Sequence, residues 1–137
     1  MVEGDLTEIT KGREKIKQAQ IRVADVINAR VKSVAYFPDV VKNLLAHGWK
    51  DVLTLVYLRQ GEKSEKWDHV VALIDNLLWS VQPKVEMGER QKLLKAIPDL
   101  LQELRAELIS ISYDQHELAQ ILKSLQASHI HALQGKK

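Results

Sequence analysis

Residues 70–84 read VVALIDNLLWSVQPK. Extended back to Ser64, the segment places Trp67, Val70, Val71, Ile74, Leu77, Leu78 and Val81 at the i, i+3, i+4, i+7 spacing of an α-helix. At about 100° per residue these side chains fall in one apolar stripe. Ser64 suits the N-cap, because its hydroxyl can accept from a free backbone N–H of the first turn. Pro83 closes the helix, since the residue before a proline is pushed out of the α region. Trp79 does not lie on the stripe. It projects from the far side, in line with Ala72 and near Asp68 and Asp75. A large ring there must find cover elsewhere, in this chain or on a partner. The stretch carries no reactive group.

Towards the N-terminus, a second apolar phase runs through Val41, Leu45, Trp49, Val52, Leu55 and Val56, with Pro38 at its start and Gly61 at its end. The phase passes through Gly48 unchanged, which predicts one helix over about 38–60 in which Gly48 admits a close neighbour. A break at His47-Gly48 is the alternative, glycine being a common residue just past a helix end. Residues 52–58, VLTLVYL, are apolar almost all round, so this helix is expected to be the central one.

Further upstream, Ile16, Ala19, Val23, Val26, Ile27, Val31 and Val34 form an amphipathic pattern from Arg13 onward. Between Lys11 and Lys32 there are seven basic and two acidic residues. Lys15, Lys17, Arg22 and Arg30 therefore make a candidate basic patch for nucleic acid or an anionic surface. The solvated outer face of a bundle helix is the preferred reading, because no aromatic residues interleave for base stacking. Residues 1–12 contain few apolar side chains and are expected to form a flexible start.

Downstream, Leu93, Leu94, Ile97, Leu100, Leu101, Leu104, Leu108 and Ile111 make one stripe. Pro98 interrupts its hydrogen bonding but not its phase, so a single kinked helix is predicted. Asp114 with Glu117 three residues on is a capping-box arrangement, with Asp as the cap. It opens a last helix whose inner face is Leu118, Leu122, Leu125, His129 and Leu133. Residues 135–137 are a polar tail. Residues 13–134 thus form one all-α domain, an irregular antiparallel bundle of about five helices.

Composition narrows the function. Twenty basic and 18 acidic residues leave a net charge of +2, too balanced to argue for nucleic acid by itself. There are no cysteines, so disulfides, thiol catalysis and cysteine metal sites are excluded. No apolar run is long enough for a membrane span, and the N-terminus lacks a secretory h-region, so a cytoplasmic location is expected. His129 and His131 stand two apart and so point in opposite directions on a helix, a poor arrangement for a metal. His129 reads as a core histidine with a hydrogen-bonded partner and His131 as exposed. Phosphate loops, HExxH and GxSxG are absent. No catalytic residue, cofactor or metal is assigned, and the chain is not expected to be an enzyme.

The segment WKDVLTLVYLRQGEKSEKWDHVVALIDNLLWSVQPK, followed by ERQKLLKAIPDLLQELRAEL, resembles part of the bacterial domain of unknown function 1631 family. Trp49, Val52, Leu53, Arg59, Gly61, Trp67, residues 74–84, Leu93, Leu94, Pro98, Leu101 and Leu104 carry the resemblance, which covers about residues 38–130. It implies a segment of a large bacterial cytoplasmic protein. Some members bear a region reminiscent of cyclic di-GMP-binding PilZ domains; nothing of it is present here, so no nucleotide-binding role carries over.

These readings combine into an interaction or regulatory module. Trp79, Asp75, Ala72 and Asp68 would dock a protein partner or another domain of the parent chain. A homodimer through the first helix is a further option, and nucleic acid ranks below protein as a partner.

Overall fold

The computed structural model describes the backbone of residues 2–137 and the side chains from Glu8 onward. Helix α1 is Val2–Lys32. The next helix starts as Asp39–Asn43, passes through a π-helical stretch, Leu44–Trp49, and continues as Lys50–Gln60. It is one unbroken rod and is called α2. Helices α3, Glu65–Ser80, α4, Met87–Ser110, and α5, Gln115–Leu133, complete the chain. Connections of four to six residues join successive helices, as in an antiparallel bundle. The described residues contain no strand. The expected all-α, five-helix architecture is the observed one. Among the described residues, no helix is long and apolar enough to cross a membrane.

Local signals place the helix ends where the sequence puts them. Ser64 Oγ accepts from the Trp67 amide at 3.2 Å, and Asp114 Oδ1 from the Glu117 amide at 2.9 Å. Gly61 takes φ +83° after α2, and Gly135 takes φ +71° after α5, a region open to glycine at little cost. The α4 helix continues through Pro98 without a break, as the unbroken phase predicts. Proline has no N–H for the carbonyl of Leu94, but Leu94 is 57% exposed, so water can serve that carbonyl.

Trp67, Val70, Val71, Ile74, Leu77, Leu78 and Val81, the stripe read first, are all buried. They meet Trp49, Val52, Leu53 and Val56 of α2, Val23 and Val26 of α1, and Leu100, Leu104 and Leu108 of α4 in one core. Trp49 is 1% exposed and its Nε1–H donates to the Val70 carbonyl at 2.9 Å. Trp67 packs edge-on to Tyr57, with centroids 5.8 Å apart. Gly48 has the predicted close neighbours: a Cβ there would stand 3.0 Å from Leu108 Cδ2 and 3.2 Å from Tyr113 Cε1. The π-helical stretch around it widens one turn of the helix at the point where α4 and its following loop press closest.

Three expectations need correction. The central helix, α2, packs on α1, α3 and α5, but it is not covered on every side: Leu58 of the VLTLVYL run is 39% exposed. Apolar character all round therefore did not mean cover all round. Leu94 stands outside the core because it lies about 100° round the helix from Leu93, on the flank of its stripe. Ala132 rather than Leu133 is the buried residue at the end of α5. The flexible start expected for residues 1–12 falls partly outside the described side chains; residues 8–12 are helical and exposed.

Candidate functional site

Trp79, Ser80, Gln82 and Lys84 are within six residues of one another, yet they fasten four parts of the fold. Gln82 Nε2 donates to the Tyr36 carbonyl in the loop between α1 and α2. The Lys84 amide donates to the Ala132 carbonyl of α5 at 2.8 Å, and the Lys84 carbonyl accepts from Arg90 Nε of α4 at 2.9 Å. Lys84 is only 4% exposed. Its ammonium turns back on α3, donating to the carbonyl of Trp79 and, at 2.7 Å, to that of Gln82. A cation at a helix C-terminus satisfies the last carbonyls and complements the negative end of the dipole. Burial holds the Lys84 pKa below its ordinary value, with Glu89 opposing the shift.

Replacing Lys84 by methionine keeps the apolar stem and deletes the charge. We expect Lys84→Met to lose about 1–2 kcal/mol in urea unfolding, the scale of hydrogen bonds to a charged group left unmade.

Ser80 and His129 join α3 to α5 behind this loop. Their Oγ and Nε2 atoms are 2.9 Å apart, and the two residues are 0% and 2% exposed. The Ser80 hydroxyl donates to the Leu77 carbonyl at 2.7 Å. Its hydrogen is committed there, so His129 must carry its proton on Nε2 and donate to Oγ. Nδ1 is then a bare lone pair, buried without a hydrogen-bond partner. Burial, aided by the Lys84 charge, pushes the His129 pKa down to about 4. The spacing is that of a nucleophile and its base, but an activated serine needs its hydroxyl hydrogen directed at the base. Here the pair is an inter-helix tie. His129 is the partnered core histidine, and His131 is exposed, both as the sequence indicates.

Trp79 is the member of the stretch that faces outward. It is half-buried and stands at one end of an open groove between α3 and α4, about 540 Å³ in volume. Lys84 Nζ lies 4.4 Å from the ring centroid and Lys92 Nζ 5.4 Å. Both are within cation–π range. Asp75 and Asn76 complete the α3 wall, and Ala96, Asp99, Leu100 and Glu103 of α4 face them. Three carboxylates, Asp75 on one wall and Asp99 and Glu103 on the other, thus share the lining with one lysine and the indole. Asp75 Oδ1 also lies 3.2 Å from Arg30 Nε of α1.

Of the four expected docking residues, Trp79 and Asp75 share this groove. Ala72 and Asp68 are exposed on α3 but do not line it. The α4 contribution went unread from sequence. Lys92, Ala96, Asp99 and Glu103 do recur at helical spacing, but only packing reveals that this row faces Trp79. The basic-patch residues divide. Lys15 and Lys17 are exposed, Arg22 pairs with Glu62 at 2.8 Å, and Arg30 pairs with Asp75. Two of the four charges are therefore answered within the fold.

A five-helix bundle with a clasped core and an acidic groove beside one tryptophan is the class of protein that fold and site define. The chain belongs to the family described as protein of unknown function (DUF1631), third domain, whose model matches residues 9–126. The match begins within α1, earlier than the residues that carry the resemblance in the sequence. No curated protein and no solved structure matches the chain.

Proposed function

We propose that this chain is a non-catalytic docking module of a larger bacterial cytoplasmic protein, regulatory in the sense that it brings a partner or a neighbouring domain into place. The observation that carries the reading is Trp79: a tryptophan left half-exposed in a groove, while Trp49 and Trp67 are buried in the core. Tryptophan in a partly dry pocket is the residue type that most often dominates an interface. Asp99 and Glu103 on the groove's rim favour a protein segment carrying a basic side chain beside an apolar one. The family's description as a third domain supports a module within a longer chain.

Binding of nucleic acid or an anionic surface through α1 is the weaker reading, because Arg22 and Arg30 already have acidic partners. An enzyme fragment is weaker still, since the Ser80–His129 pair is closed to solvent.

The test is affinity capture from a bacterial lysate with three baits: wild type, Trp79→Ala and Asp99→Lys, each checked for folding by circular dichroism. A protein retained by wild type and lost by both folded variants is the expected result. Equal retention by all three places binding on another face and refutes the groove.

A further inference from the structure

Ala19, Val23 and Val26 seat α1 in the bundle, at 0%, 0% and 5% exposure. They occupy d, a and d of a heptad, the seam of a helix packed against helices. The same phase continues backwards along α1 as Ile16 (a), Gly12 (d) and Ile9 (a). Among the described residues nothing covers it here: Ile16 is 46% exposed, Ile9 is 51% exposed, and a Cβ on Gly12 would meet nothing within 4 Å. Residues 8–18 are exposed throughout, a length of roughly 16 Å at the rise of an α-helix. The seam thus keeps its alternation of large and small residues after the bundle that uses it has ended.

Charge says what would cover it. Where the seam is seated, the flanking Arg22 finds Glu62, across from it at 2.8 Å. One heptad earlier the equivalent residue is Lys15, with Arg13 on the opposite flank. Glu62 is the fold's own example of what answers that flank. Within residues 8–18, four basic side chains (Lys11, Arg13, Lys15, Lys17) outnumber two acidic ones (Glu8 and Glu14). Two copies of this segment would each bring a net positive charge to the contact, which disfavours self-pairing.

We infer that residues 8–18 of α1 form a second docking surface, separate from the Trp79 groove, for an amphipathic helix whose apolar stripe is flanked by glutamate or aspartate. Such a helix extends the seam by two turns, burying Ile9 and Ile16 and setting its acids against Arg13 and Lys15. The close approach at Gly12 repeats the one the bundle makes at Ala19.

Three designed peptides serve as probes, each three heptads long with leucine at a and d. One carries glutamate at e and g, one lysine and one glutamine. Binding of the labelled peptides to the 137-residue chain is followed by fluorescence anisotropy. The acidic peptide should bind at least roughly tenfold more tightly than the basic one. Arg13→Glu with Lys15→Glu should reverse that order, and Ile9→Asn with Ile16→Asn should abolish binding of all three. All four positions are exposed, so circular dichroism and thermal melts should be unchanged. Three results would overturn the inference: the same affinity for all peptides, an order that survives charge reversal, or sedimentation showing that the chain pairs with itself through α1. Displacement of the acidic peptide by an unrelated DNA duplex would overturn it too, by making the surface a general polyelectrolyte site.

Discussion

Trp49→Ala should lower the stability of the fold by about 3–5 kcal/mol, the range for deleting a fully buried aromatic side chain. Three features put this residue at the upper end of single-site effects. It is among the largest fully buried side chains and sits where α2 meets α3. Its indole N–H is committed to the Val70 carbonyl. It also ends the π-helical stretch of α2 and belongs to the buried core shared by α1, α2, α3 and α4, so the space it leaves is walled by packed side chains. A cavity whose walls cannot collapse costs more than the transfer of the deleted atoms alone. Trp49→Phe should cost less than half as much. It keeps most of the volume, and the Val70 carbonyl, which lies inside α3, retains its helical partner. Urea unfolding at neutral pH measures both. Equal losses for alanine and phenylalanine would mean that the hydrogen bond, not the volume, sets the cost.

Acid should be the second large lever, and it acts through His129. The folded-state pKa of about 4 lies below the ordinary 6.5. Between these values the unfolded chain takes up a proton and the folded chain does not. The neutral ring's contribution is therefore fully present above about pH 6.5 and is lost as pH falls towards 4, by up to about 3 kcal/mol at 1.36 kcal/mol per unit. The chemistry explains the sign: a proton on Nδ1 would create a buried N–H with no acceptor beside the Lys84 ammonium. His129→Gln retains a donor towards Ser80 and cannot titrate. Urea midpoints for the two proteins should diverge from pH 4 to 6.5, with the wild type steeper. Parallel curves would show that His129 is protonated at little cost in the folded state.

The fold was readable because its signals agree. Ser64 and Asp114 cap the helices they precede, the α3 stripe is apolar at one period, and Pro83 stands where α3 has ended. The errors share a cause. Leu58 and Leu94 are apolar and in or near phase, yet exposed, because periodicity gives a direction and not the number of neighbours waiting there. The site was half readable for the same reason. Trp79 declares itself by standing off its own stripe. Asp99 and Glu103 look like any helix-surface acids until α4 is packed against α3. The LWSVQPK run has no catalytic chemistry to announce, and its side-chain bonds reach Tyr36, 46 residues away, and His129, 49 away. No local pattern encodes partners at that range.

Everything proposed for the groove rests on Trp79 being spare for folding. Its unfolding free energy as Trp79→Ala, measured in urea beside Trp49→Ala, tests that most directly. A half-buried ring with two cation contacts should cost about 1–2 kcal/mol to remove, well short of the loss at Trp49, with an unchanged denaturant slope. A loss as large as that of Trp49→Ala would make Trp79 a core residue and remove the docking surface with it.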